Sequence, residues 1–449
     1  MVNLLLLIGT VTALSLPLSG QAPRPVEKLF TLDNGLRVFL FERASAPLVN
    51  IVASVNAGSK DETLATSGLA HLLEHYVLFR GTDLRTGGEI AREIRNHGAI
   101  FNAHTGQDLA TFEISLPTEH FEFGLRNQKE ILFDLKIGEA ELAAEKEVIL
   151  EEIKQIEDDP FRYGGSLIYQ NLMPGHPYGR PVYGSPATIG GLSREDMERF
   201  YRRLFVPNNA ALAIVGNLPV AEMEARVRAV FGVVPRGEPP PALPERPRPL
   251  EKAVEVVKEL DVDEAYLIIG VQGPDYNDPG QYAADVLTQV LGQGINPMLA
   301  VALKGGRRNL VNSAQMTYIA LKRAGAFVAY LTLDPKNLAA AKREAVAFLK
   351  KAWTENFSPS DIPGEEKTFA YDHLEGAKNS IRFMVQQAWE SGRGLAASMA
   401  IHLLLNDKET KIDYLDRIAT LQSSDLREAA SVSFSRSEFV FVSFVPRKK

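Results

Sequence analysis

The chain has 449 residues, 45% of them apolar, which is enough for two or three domains with proper cores. Its formal net charge is -7 with no sustained Lys/Arg block, so it carries no electrostatic footprint for phosphate backbones and no nucleic-acid partner is expected. It has no cysteine, which excludes disulfides, thiolate nucleophiles and Cys-based zinc or iron sites; any metal must be held by His, Asp or Glu.

Residues 1–22, MVNLLLLIGTVTALSLPLSGQA, hold no charged side chain, an apolar run from Leu4 to Leu14, and small residues at Gly20 and Ala22. The pattern reads as a secretory signal peptide, and the mature chain is expected to be secreted or periplasmic. The rival reading, an uncleaved anchor, has too short a run for the roughly 20 apolar residues that span a bilayer, and no later stretch predicts a transmembrane segment.

"LFTLDNGLRVFLFE" sets an Asp-Asn-Gly turn between two β-rich runs, and "LVNIVASVNAG" continues the strand pattern. From Gly68 to about Phe79, and from Gly88 to Asn96, the apolar spacing turns helical; "AIFNAHTG" and "LATFEISLP" return to strand. A long helical region is expected from about Phe121 to Asp158, and "NNAALAIVGNL" closes the half with a strand. The proline-rich stretch 236–252 cannot pack as an element interior and reads as a linker. Beyond it the pattern restarts: "EAYLIIGVQGP" is a strand, and "GQYAADVLTQVLG" from Gly280 overlays "SGLAHLLEHYVL" without a gap. The expected fold is α+β, two tandem homologous αβ modules at 24–235 and 253–449, each a mainly antiparallel sheet packed with helices. In the overlay Asp285, Thr288 and Gln289 stand opposite His71, Glu74 and His75, so the second module keeps the helix and loses the polar trio.

That trio carries chemistry. Positions four apart share a helix face, so His71 and His75 aim both imidazoles at one ion with Glu74 beside them, the H-x-x-E-H arrangement of the inverted zincins. The plain alternative, two satisfied core histidines and a surface glutamate, sits poorly on a helix as apolar as this one. A catalytic zinc typically has three protein ligands and an open position. The candidate third ligand lies in "EAELAAEKEVILEEIKQIEDDP", an acidic helix whose other acids read as a solvated face. Glu152 is one turn from both Ile149 and Ile156, at the edge of the apolar stripe, where a carboxylate wants a cation; Glu145, two turns earlier, suits a group that orients a ligand.

HLLEH followed by 76 intervening residues and then Glu152 within "EKEVILEE" resembles the pitrilysin-type metallopeptidases. "GLAHLLEHYVLFRGT", "GAIFNAHTGQDLATFEISLP", "HPYGRPVYGSPATIGGL" and "FYRRLFVPNNAALAIVGNL" extend the resemblance across most of the mature chain. The resemblance implies that His71, His75 and Glu152 bind one Zn2+, that Glu74 is the general base, and that Glu145 is the supporting acid. It also implies that Asn102 and Ala103, in "AIFNAHTG", border the cleft and pair with the backbone of an extended peptide substrate. His104 nearby is not expected to be a ligand. The chemistry follows from the groups themselves: zinc brings the pKa of water towards neutrality, and a glutamate can take its proton as it attacks a polarised peptide carbonyl. A non-catalytic scaffold subunit that retains the zinc site is the alternative, and zinc storage would leave Glu74 without a purpose.

One stretch departs from the family. Relatives carry an Arg and a Tyr in the second half that hold the substrate and stabilise the oxyanion; here "LKGGRRNLVNS" places Asn312 at the Tyr position and Gly305 at the Arg position, with Lys304, Arg307 and Arg308 out of register. The departure predicts a two-chain clamshell in which a homologous subunit supplies the Arg/Tyr pair, with a homodimer as the alternative.

Overall fold

A computed structural model describes residues 27–294, 296–305, 309–358, 372–406, 413–435 and 437–447. The leader read at 1–22 and the residues Arg307 and Arg308 lie outside the described residues.

The first half builds one six-stranded sheet from β1 (Glu27–Thr31), β2 (Arg37–Glu42), β3 (Leu48–Val55), β4 (Ile100–Thr105), β5 (Ala110–Pro117) and β6 (Ala210–Gly216), in the order β1-β2-β6-β3-β5-β4. The pairs are antiparallel except β2 with β6. The second half builds a five-stranded sheet from β7 (Val254–Leu260), β8 (Ala265–Gly273), β9 (Ser313–Ala320), β10 (Gly325–Leu333) and β11 (Val440–Pro446), in the order β7-β11-β8-β10-β9. It too has one parallel pair, β7 with β11. Drop β1 and the two sheets have the same order and the same strand senses, so the expected α+β fold of two tandem homologous modules is the fold observed.

Between β3 and β4 lie the helices α1 (Leu69–Phe79) and α2 (Gly87–Asn96). The long helical region expected from Phe121 to Asp158 consists of α3 (Phe121–Phe133) and α4 (Glu139–Asp158), with α5 (Pro160–Leu172) following at once. Asp159 marks the last break: its carboxylate accepts from the Phe161 and Arg162 amides, and Pro160 takes the first helical position, where no amide hydrogen is needed. The strand β7, half exposed in strict alternation, was not expected from the sequence.

Strands β3 and β6 read as nearly continuous apolar runs because both faces of the first sheet are covered. Val38, Leu40, Ile51, Leu212 and Ile214 face the first half's own helices. Phe39, Val52, Ala211, Ala213 and Val215 face the helix Gly392–Leu405, which comes from the second half. The exchange is reciprocal. Ile168 and Leu172 of α5 pack on Ile268, Val440, Val442 and Phe444 of the second sheet. Two glycines allow the close approach: a Cβ on Gly270 would meet Ile168 at 2.3 Å, and one on Gly164 would meet Ile268 at 2.8 Å. Residues 235–250 form neither helix nor strand, yet they are tied down, with Arg246 paired to the buried Asp275 at 2.6 Å. Among the described residues no helix is long and apolar enough to cross a membrane.

Candidate metal centre

The centre is laid out by α1. Six of its eleven residues are buried apolar side chains, so the helix is driven into the core and carries His71, Glu74 and His75 with it. Its start is fixed by Gly68, at φ +93°, where a Cβ would meet Ile189 at 2.6 Å and Gly184 at 2.8 Å. No side chain caps the helix from the usual position. Instead the buried Glu62 carboxylate accepts from the Gly68 and Ala70 amides at 2.9 and 2.8 Å. Tyr76 then ties α1 to the approach of α4, its hydroxyl accepting from the Gly138 amide at 2.7 Å.

Helix α4 buries Leu142, Glu145, Ile149, Ile153 and Ile156 and lies against α1. Glu152, on the edge of that stripe, keeps its side chain 27% exposed and reaches both imidazoles: its Oε2 is 3.5 Å from His75 Nε2 and 3.8 Å from His71 Nε2. One ligand atom from each of these three residues falls within 4.8 Å of the others, and they form such a group among the described residues without any further acid or histidine.

Glu145 lies behind the group, 1% exposed, with Oε1 accepting from His75 Nδ1 at 3.0 Å. This bond occupies Nδ1 and turns His75 Nε2 towards Glu152. The other Glu145 oxygen accepts from Arg80 Nε at 2.5 Å. Arg162, on α5, donates to Glu152 Oε1 at 3.3 Å.

The titration behaviour follows from these contacts. Burial lowers the His71 imidazole to about 4, and neighbouring His75 adds to the effect. Burial pulls His75 the same way, but the Glu145 and Glu152 carboxylates outweigh it and raise this imidazole to about 9. His75 in turn holds Glu152 down at about 2. Burial raises the Glu74 carboxyl above its ordinary value, against the opposing pull of the His75 and His104 imidazoles.

These residues fit a zinc ion. Tetrahedral ligands about 2.0 Å from zinc stand roughly 3.3 Å from one another, close to the separations seen between Glu152 and the two imidazoles. Among the described residues no hydrogen-bond partner reaches the buried His71 Nδ1, and the ring turns its Nε2 towards Glu152. Nitrogen and carboxylate donors, two and one, are a set that zinc accepts.

Asn102 and Ala103 sit on β4, opposite Glu113 and Phe112 of β5. Because β4 is the last strand of its sheet, its other side is unpaired within the sheet, and it runs beside α1. Ala103 is buried and Asn102 half-buried, its amide 3.2 Å from His104 Nε2. His104 is exposed and stands outside the group of three. In the second half Gly305 caps the helix Met298–Lys304, and Asn312 donates to Glu264 at 2.7 Å instead of offering a phenol. Sequence reasoning missed Arg80, Arg162 and Glu62. None lies on an apolar periodicity or within the motif, and only the folded contacts reveal them.

The chain matches the family described as Insulinase (Peptidase family M16) over residues 37–185 and that described as Peptidase M16 inactive domain over residues 191–365. An uncharacterized zinc protease of Mycobacterium leprae is 28% identical over 311 residues, 69% of each chain. One from Rickettsia bellii is 25% identical over 414 residues, 90% of this chain and 94% of its own. Among solved structures, a protease from Helicobacter pylori has a TM-score of 0.83 at 23% identity, over 94% of this chain and 100% of that one. A peptidase M16 inactive domain from Pseudomonas fluorescens has a TM-score of 0.81 at 19% identity, over 94% and 98%. At these identities the likeness to the solved structures is one of fold.

Proposed function

The chain belongs to the pitrilysin-type peptidase family M16, and from that premise we propose that it is a zinc-dependent endopeptidase acting on extended or unfolded peptides. The observation that carries the reading is the convergence of His71, His75 and Glu152 within 4.8 Å, with Glu74 on the same helix. These three residues would hold the ion. Bound there, zinc supplies a Lewis acid that polarises a peptide carbonyl and makes water acidic enough to be deprotonated near neutral pH.

The remaining work falls to the chain's own groups. Glu74, largely withdrawn from solvent and not itself one of the converging ligands, accepts the proton of the attacking water and returns it to the leaving amine. Glu145 fixes the His75 ring through Nδ1, and Arg80 fixes Glu145. The free side of β4 at Asn102 and Ala103 pairs with the backbone of the peptide, which favours extended chains over folded ones and asks little of their sequence.

The inactive-domain match covers the half in which Asp285, Thr288 and Gln289 replace the trio, in keeping with one zinc per chain. The finer reading is a divided site. With Asn312 engaged by Glu264 and Gly305 at a helix end, this subunit supplies zinc and base, and a homologous subunit supplies the Arg/Tyr pair. Export through the leader at 1–22 belongs to the same reading.

The test is to incubate the purified chain with an unstructured peptide, with and without a chelator, alone and with any homologous chain that co-purifies with it. Chelator-sensitive fragments are expected. Cleavage that persists without metal would sink the zinc assignment, and full activity of the chain alone would sink the divided site.

A further inference from the structure

The second half keeps the helix that corresponds to α1 and puts different polar groups on it. Asp285, Thr288 and Gln289 of the helix Gln281–Gly292 stand where His71, Glu74 and His75 stand in the first half. Thr288 is used locally, its hydroxyl donating to the Ala284 carbonyl at 2.8 Å. Asp285 is different. It lines a cavity of about 350 Å3 together with Tyr276, Tyr282, Trp389, Tyr414 and His402, and among the described residues no lysine or arginine lines it. That volume falls at the small end of ligand pockets, which run from about 300 to 1,000 Å3.

The charge in this cavity is unbalanced. Tyr414 donates to Asp285 Oδ2 at 2.8 Å, and among the described residues no cation acts on that carboxylate. Burial pushes it up to about 6, with the Tyr414 hydroxyl working the other way. The second acid of the lining, Asp413, is already paired at 2.8 Å with Arg417, whose guanidinium lies 5.9 Å from the centre of the Tyr282 ring and leaves Asp285 unserved. A withdrawn carboxylate without a counter-ion is costly, and the faces of tyrosine and tryptophan attract cations. Both features ask for the same ligand chemistry.

We infer that this cavity binds an organic cation, the guanidinium or ammonium head of an alkyl chain such as a basic peptide side chain carries, with Asp285 as counter-ion and the aromatic rings as walls. No residue of the zinc group lines the cavity, so it binds its ligand whether or not the chain cleaves peptides.

The chain has two tryptophans, Trp353 and Trp389, and only Trp389 lines the cavity. In a Trp353→Phe background of the full chain, tryptophan emission therefore reports on the cavity. Titration at neutral pH with N-acetyl-arginine methylamide is expected to change that emission saturably, while the neutral citrulline counterpart leaves it unchanged. Asp285→Asn is expected to weaken the arginine response by at least about 10-fold, as loss of one partner of a desolvated charge pair does. A blocked, extended peptide with one internal arginine separates the sources: tighter binding than the amide marks a peptide ligand, and equal binding marks a free small cation. Equal responses to the arginine and citrulline derivatives, or no response to either, would overturn the inference. That comparison needs no change at Asp285, so it holds even if the Asn variant folds poorly.

Discussion

Glu74 and His75 are neighbours in sequence with opposite proposed tasks, and the difference can be measured. His75 is held by Glu145 and points its other nitrogen at Glu152, whereas Glu74 stands apart from the ligand group. Glu74→Gln is therefore expected to keep one zinc per chain and to lose peptide cleavage by about 100-fold or more, the scale of a missing general base. Metal analysis beside a fluorogenic-peptide assay checks both halves of that statement, and wild-type turnover in the variant would remove Glu74 from the mechanism. Arg80 acts one step further out, through Glu145. Arg80→Ala should weaken zinc binding by roughly 10- to 100-fold, as loss of an outer partner of a metal ligand does, and Arg80→Lys should restore part of it. Competition with a chelator dye reads the affinity directly; equal affinities for all three proteins would confine Arg80 to packing.

At the scale of the element, α1 is placed by a contact that no helix rule supplies. Glu62, six residues before Gly68, accepts from two amides at the helix start and is 5% exposed. Glu62→Ala leaves two buried N–H groups without an acceptor, and about 1–3 kcal/mol of stability should go with it. A urea titration measures the loss, and a midpoint indistinguishable from wild type would show that water satisfies those amides. The element also explains the economy of the site. The two proposed ligands and the proposed base ride on one rigid helix, so a single packing arrangement against α4 brings Glu152 within reach of both imidazoles.

For the molecule as a whole, the exchange of helices makes each half part of the other's core. Gly392–Leu405 covers the outer face of the first sheet, and α5 covers that of the second. Leu403 is 4% exposed within the first of these contacts. Leu403→Ala should cost about 2–5 kcal/mol and shift one shared thermal transition, because neither sheet keeps both faces dry if the halves part. Calorimetry decides it: two separated transitions would show halves that fold on their own.

Local chemistry made part of this legible without coordinates. The helical pitch alone puts His71 and His75 on one face, and the apolar stripe Ile149–Ile153–Ile156 marks which side of α4 Glu152 borders, so the candidate ligands could be named from spacing. The restart of the strand and helix pattern after the prolines likewise announced two modules, because each copy must carry its own apolar periodicity. Strand β7 escaped because an alternating, half-exposed run beside a proline-rich stretch carries little apolar signal. What tertiary structure decided was everything that depends on distant segments meeting: that Arg80 and Arg162 attach to Glu145 and Glu152, that Glu62 caps α1, that β4 ends its sheet, and that each half lends a helix to the other. The physical reason is the range of the forces involved. Backbone pitch and side-chain alternation act within a few residues and are written in local sequence, whereas ion pairs, sheet order and buried faces arise only when packing brings together groups that the chain itself keeps far apart.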